Sequence, residues 1–317
     1  MQPSKEDNFQ ISQPLPEDKE EMKSLWQTTF QDSDEFVDMF FNRIYKPENA
    51  LVIKKDGKIV SALQMIPYEI KIGDNIIPAA YICGVCTLTF ERGKGLMNIL
   101  MNEAMDVIRQ KGYGITTLIP AHPWLFDVYR KYGYIYPVNY NIERYNKINE
   151  PNRSDTVDEH NNDSFSGYDF TTYTGRYYTY FDKKQRERQC VILHNEYDIE
   201  NVLLDLTYDN GNIFVALHED TPVGIAFAIP DSKKEVTIKE LLYDNTQIKK
   251  VLIYHILNRY NAETAKVRIP QQEAPEQEIN ATDSSTINKK TIPYGLACIL
   301  YNQTTDITNL YMTLMLD

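Results

Sequence analysis

The sequence predicts a mixed α/β layer fold with a central sheet, present in two successive copies. Three observations predict it. Segments of helical period alternate with β-branched runs in the order strand, two helices, three strands, helix, strand, helix, strand. A fainter version of that order returns in the second half. Between them lies NEPNRSDTVDEHNNDSFSG, rich in Pro, Asn, Ser and Asp with almost nothing to bury, which is linker composition. The expected layout is a first domain over 1–150, a linker over 151–166 and a second domain over 167–317.

The elements can be taken in order. Asn8–Leu15 alternates weakly and predicts a strand. Pro16-Glu17-Asp18 places proline and acids at a helix start, and that helix runs to about Phe30. Asp32-Ser33-Asp34 caps a second helix with Phe36, Met39, Phe40 and Ile44 on its apolar face. Strands follow over Ala50–Lys55, Lys58–Ile72 and Asn75–Thr89, joined by Asp56-Gly57 and Gly73-Asp74-Asn75, turn chemistry that links antiparallel neighbours. A helix from Leu96 to Gln110 ends at Lys111-Gly112. Ile115–Pro120 is a short strand, Pro123–Lys131 a short helix and Tyr134–Tyr145 a final strand. In the second half, Tyr177–Arg188 and Asp198–Thr207 predict helices. Asn212–His218, Val223–Ile229 and Glu235–Tyr243 predict three strands, broken at Glu219-Asp220 and Asp231-Ser232. Ile248–Tyr260 predicts a helix, and Ala265–Pro270 and Pro293–Tyr301 two more strands. The polar stretch from Gln271 to Lys290 reads as a surface loop.

Composition narrows the function classes. No run approaches the roughly 20 apolar residues of a membrane helix, and MQPSKEDNFQ has no signal-peptide core. Four cysteines in 317 residues do not make a secreted disulfide framework. A cytoplasmic protein is expected, with no membrane partner. The net charge of −12 is concentrated late: residues 1–149 hold 17 Lys and Arg against 19 Asp and Glu, residues 150–317 hold 16 against 26. Such a surface repels nucleic acid and attracts cations. Cys83 and Cys86 form C-x-x-C, but residues three apart on a strand face opposite sides and no second pair lies nearby, so no metal is expected.

The richest segment runs from Tyr81 to Gly114. A β-branched strand enters Arg92-Gly93-Lys94-Gly95, and a long amphipathic helix starts at once. Glycine permits close backbone approach, and a helix start presents unpaired N–H groups at the positive end of its dipole, which together suit a pyrophosphate. Arg92 and Lys94 add charge. The Walker spacing fails because Lys94 lies between the glycines, and the dinucleotide spacing fails because residue 98 is Asn.

Arg92, Gly93, Lys94, Gly95, Leu96 and Met97 resemble the acetyl-CoA loop of the GNAT acetyltransferases, with Met97 in place of a small sixth residue. Downstream, PAHPWLFDVYRKYGYIY resembles that family's closing element, a short helix followed by aromatic-Gly-aromatic. The likeness covers roughly residues 8–145. It implies the acyl-CoA N-acyltransferase (GNAT) fold, a mixed central sheet flanked by helices, with acetyl-CoA as cosubstrate. It also implies a tyrosine facing the CoA sulfur, here Tyr129, as the acid for the departing thiolate. Backbone groups of Val85, Cys86 and Thr87 would meet the thioester carbonyl and the pantetheine arm. The two-copy layout is similar to bacterial tandem-GNAT proteins of the enhanced-intracellular-survival type, in which only the first copy keeps the loop. Here Asp244-Asn245-Thr246-Gln247 stands at the second copy's loop position without glycine, which implies a degenerate, noncatalytic copy. Those relatives carry a third, sterol-carrier-like domain, whereas 16 residues follow Tyr301 in this sequence.

The base is left open. Tyr81–Thr89 holds no acid, where many GNAT enzymes have a Glu. The tandem relatives use the terminal carboxylate, which implies Asp317 at the end of YMTLMLD; an edge strand completing the second domain explains that tail equally well, and water can serve instead. His122 reads either as a proton relay or as a loop histidine bound to backbone. Asp34, Glu35 and Asp38, with Asp32, lie where the family gathers substrate contacts, or form a solvated helix face. The expected reaction moves an acetyl group to a primary amine of a small cationic molecule or of lysine. An acyl-CoA-binding tandem module without turnover, or transfer of a larger acyl group, are the competing readings. A homo-oligomer is compatible with the sequence.

Overall fold

The computed structural model of the chain describes residues 9–147, 167–231, 234–273, 291–301 and 306–316. The expected linker 151–166, most of the polar loop 271–290, Ser232 and Asp317 lie outside the described residues. The chain divides into two compact units. The first takes residues 1–138 and 294–310; the second takes 139–293 and 311–316.

In the first unit the sheet runs in the order β1 (Phe9–Ser12), β2 (Ala50–Lys55), β3 (Lys58–Ile72), β4 (Asn75–Thr87), β5 (Ile115–Leu118) and β13 (Ile292–Ile299). All neighbours are antiparallel except β4 and β5. Four helices accompany it: α1 (Lys19–Phe30), α2 (Asp34–Met39), α3 (Leu96–Gln110) and α4 (Leu125–Arg130). The i, i+4 spacing of Leu96, Leu100, Ala104 and Ile108 lays one face of α3 on the sheet, with Met101 and Met105 beside it. Burying each large aliphatic chain contributes about 1.5–3 kcal/mol, so the core fixes which face of α3 meets the sheet. Ser33 caps α2, accepting the Phe36 N–H at 3.2 Å, as its sequence predicts. The helix does not stay regular to Ile44. Phe40–Ile44 widens into a π-helical turn, which lets both Phe40 and Phe41 reach the Trp26 ring, at 4.7 and 5.9 Å.

The second unit repeats the order. Its sheet runs β7 (Asp169–Thr172), β9 (Asn212–His218), β10 (Thr221–Pro230), β11 (Glu235–Tyr243), β12 (Thr264–Pro270) and β6 (Tyr136–Asn146), with β11 and β12 parallel and the rest antiparallel. Helices α5 (Tyr178–Arg186), α6 (Glu196–Tyr208) and α7 (Thr246–Arg259) complete it. Strands β7 and β8 (Cys190–Leu193) have only four residues each and give no periodicity in the sequence. The tail Tyr311–Leu316 is buried in this unit. Tyr311 bridges to Val191, and the Thr313 carbonyl lies 2.8 Å from His194 Nε2.

The last strand of each sheet comes from the other half of the sequence. Tyr134–Tyr145 and Pro293–Tyr301 were each expected to close their own copy. Instead β6 pairs with β12 in the second unit over Tyr140–Asn146, and β13 pairs with β5 in the first over Leu296–Ile299. Alternation identifies a strand and its buried face, but not its partner.

Candidate active site

β4 and β5 pair only from Ala79 to Ile82 against Ile115 to Leu118. β5 then ends before Ile119-Pro120, while β4 continues to Thr87 paired with β3 but no longer with β5. At the same place β4 bulges. Ala62 pairs with Cys86 and Gln64 with Cys83, so Leu63 stands opposite both Gly84 and Val85. A bulge bends its strand and takes one residue out of the ladder. Gly84 has φ of +59°, and a Cβ there would collide with the Trp26 ring. Trp26 is itself held by its indole N–H, which donates to Asp32 Oδ2 at 2.7 Å. Glycine, bulge and indole together hold the strand open.

The gap is a cavity of about 570 Å³ that belongs wholly to the first unit. Of the residues expected from sequence it gathers Val85, Cys86, Thr87, Arg92, Gly93, Gly95, Leu96 and Tyr129. At the loop, Gly95 is the N-cap of α3 with φ of +82° and no side-chain cap, so the first N–H groups of the helix keep no local acceptor. Arg92 lines the cavity, its Nε donating to the Thr87 carbonyl at 3.0 Å. Lys94 does not line it. Its ammonium pairs with Glu91 Oε2 at 2.9 Å, and Lys55 reaches the same carboxylate at 3.9 Å. Glu91, buried at the cavity wall, therefore fixes the loop and consumes the charge expected of Lys94. Met97 lines the cavity, where the family pattern has a small residue.

Tyr129 stands on α4 with its ring edge to Tyr134, centroids 6.2 Å apart. Tyr134 is the structural member of the pair: fully buried, with its hydroxyl 3.0 Å from Thr116 Oγ1. Tyr129, by contrast, lines the cavity, and its hydroxyl has no hydrogen-bond partner among the described residues. Burial, then the nearby Tyr132, pushes its pKa well above the usual tyrosine value. Burial also pushes the Cys86 thiol up to about 12, so it stays protonated.

Other expected residues stand elsewhere. Asp34, Glu35 and Asp38 are exposed on α2 and do not line the cavity. Asp38 pairs with Lys23 at 2.6 Å, and Asp34 accepts from Gln27 at 2.5 Å. Asp317 lies outside the described residues. His122 does line the cavity, its ring stacked on Trp124. Sequence reasoning missed Thr29 and Phe30 from the last turn of α1, which also line the cavity. Phe30 is held against Trp26 at 5.2 Å. Nothing local marks them, because they reach the site only through the packing of α1 over the bulge. Among the described residues no group of three or more His, Cys, Asp or Glu is placed to hold a metal, and no helix is long and apolar enough to cross a membrane.

The second unit has a parallel opening. β11 and β12 pair only over Glu235–Ile238, and a cavity of about 460 Å³ opens beyond, lined by Leu241, Leu242 and Tyr243. Its helix start is closed. Asn245 caps α7, its side chain accepting the Ile248 N–H at 3.0 Å.

A sheet splayed between two parallel strands, with an open helix N-terminus and a tyrosine at the gap, is the GNAT fold, the architecture of acyl-CoA N-acyltransferases. Residues 10–136, within the first unit, match the family described as Acetyltransferase (GNAT) domain. Solved structures resemble the chain along most of its length. A conserved Enterococcus faecalis protein of unknown function, described as a probable N-acyltransferase, has a TM-score of 0.71 at 14% identity, covering 92% of this chain and 73% of that one. A GCN5-related N-acetyltransferase from Anabaena variabilis has 0.70 at 17% identity, covering 93% and 73%. Eis1 from Mycobacterium abscessus has 0.63 at 11% identity, covering 92% and 73%. No curated protein matches the sequence.

Proposed function

We propose that the chain is an N-acetyltransferase that moves an acetyl group from acetyl-CoA to a primary amine, with the chemistry in the first unit and a noncatalytic second unit. The observation that carries this reading is the pairing of an uncapped α3 start at Gly95 with the unpartnered Tyr129 hydroxyl in one cavity. The α3 N–H groups and Arg92 receive the pyrophosphate. Backbone groups at the β4 bulge meet the thioester oxygen, whose charge grows as the amine lone pair attacks the carbonyl carbon. The C–S bond then breaks. An alkyl thiol has a pKa of about 8.5, far below that of buried Tyr129. Tyr129 therefore acts as a hydrogen-bond donor to the leaving thiolate rather than as an acid that gives up its proton. The amine proton passes to water or to His122, and the thiolate takes a proton from solvent.

The acceptor's class is not carried by Asp34, Glu35 and Asp38, which face solvent. In the second unit the Asn245 cap occupies the helix start, which supports its reading as noncatalytic. Calorimetric titration tests the site. The wild type should bind acetyl-CoA at one site per chain, and Gly95→Asp combined with Arg92→Ala should abolish binding. Normal binding by a correctly folded double variant would refute the assignment.

A further inference from the structure

The polar groups along the cavity wall fall into two sets. Most are already engaged. Glu91 is paired with Lys94 and Lys55. The Thr29 hydroxyl donates to the Leu25 carbonyl at 2.8 Å, and the Thr87 hydroxyl lies 2.8 Å from Ser61 Oγ. The uncommitted set includes the Tyr129 and Tyr132 hydroxyls, the His122 ring and the Asn98 amide, none of which has a hydrogen-bond partner among the described residues. None of these is a carboxylate, and the one charged group beside them that is not in an ion pair with another lining residue, Arg92, is a cation. What remains around them is apolar: Phe30, Val85, Trp124 and Leu125.

This lining has a consequence for the acceptor. Its reacting amine enters neutral, so it needs no counter-charge. A second ammonium on the same molecule would be desolvated beside no uncommitted carboxylate among the described residues that line the cavity, and an unpaired charge there is strongly unfavourable. Attraction to ring faces offsets that only in part. An aromatic or branched apolar skeleton would instead bury surface against Phe30 and Trp124, with edge or offset contacts to their rings. Trp124 stands 63% exposed at the wall, an indole that packs against nothing sufficient to cover it.

We propose that the acceptor is an amine carried on an apolar, ring-bearing skeleton, an arylalkylamine in chemical class, held between Phe30 and Trp124 with its nitrogen toward Val85. This rests on the N-acetyltransferase reading above.

The test compares 2-phenylethylamine with 1,4-diaminobutane at pH 8 in the full-length protein. Thiol release from acetyl-CoA gives kcat/KM, and titration of each amine into protein saturated with CoA gives its affinity. The aryl amine should exceed the diamine at least tenfold in both. Phe30→Ser should remove most of that preference, and Phe30→Leu should keep part of it. Equal or better binding and turnover of the diamine overturns the inference, as does a preference unchanged in Phe30→Ser. If neither amine is turned over, the binding preference alone decides. Failure of acetyl-CoA itself to bind would instead strike the N-acetyltransferase reading.

Discussion

At the residue scale, two tyrosines five positions apart divide structure from chemistry. Tyr134 is enclosed and bonded to Thr116, whereas Tyr129 lines the cavity with its hydroxyl unpartnered among the described residues. Tyr129→Phe keeps the ring and removes one donor to a developing anion, so kcat should fall about 10²–10³-fold with little change in acetyl-CoA affinity. Steady-state kinetics with calorimetry checks both. Because burial raises both tyrosines' pKa values, the unfolded chain loses these protons near pH 10 while the folded chain keeps them. Stability is therefore complete below about pH 10 and falls as pH rises beyond it. Urea midpoints at pH 8 and pH 10.5 should show that decline, and Tyr134→Phe should lessen it. Arg92, Gly95 and Tyr129 were legible in the sequence because each belongs to a contiguous motif whose spacing implies its geometry. Lys94 was misplaced because its partner Glu91, three residues earlier, turns it aside. Thr29 and Phe30 were invisible because only tertiary packing brings them to the wall.

At the element scale, the departure of β4 from β5 makes the site, and it depends on Gly84. Alanine there would have to accept φ of +59° and displace the Trp26 ring. The two penalties together come to about 2–4 kcal/mol. Gly84→Ala should lower the thermal midpoint and weaken acetyl-CoA binding in parallel, measured by calorimetry; a stable variant that binds normally would show that the bulge is not what opens the cavity. The strands, long helices and turns of both units were readable from period and turn chemistry. The four-residue strands β7 and β8 were missed, although β1 and β5 are equally short and were read, and the π-helical turn at Phe40–Ile44 has no signature beyond its adjacent phenylalanines.

At the scale of the whole molecule, the repeat was visible in the order of elements, but the exchange of closing strands was not, because a strand's sequence does not name its neighbour. The exchange makes each half of the chain an incomplete unit. Residues 1–150 expressed alone should lack the neighbour that β13 gives β5, leaving the edge at Ile115–Leu118 bare and prone to association. Either half alone should aggregate, and the two produced together should yield a soluble pair; size-exclusion chromatography of both preparations checks this. The same feature sets a timetable for synthesis. Ile115 must wait for Ile299, which leaves the ribosome 184 residues later, about 10–40 seconds at ordinary elongation rates. The unit that holds Arg92–Gly95 and the cavity is thus begun first and finished nearly last, and for that interval a nascent chain with α3 already made still has an open sheet edge at β5.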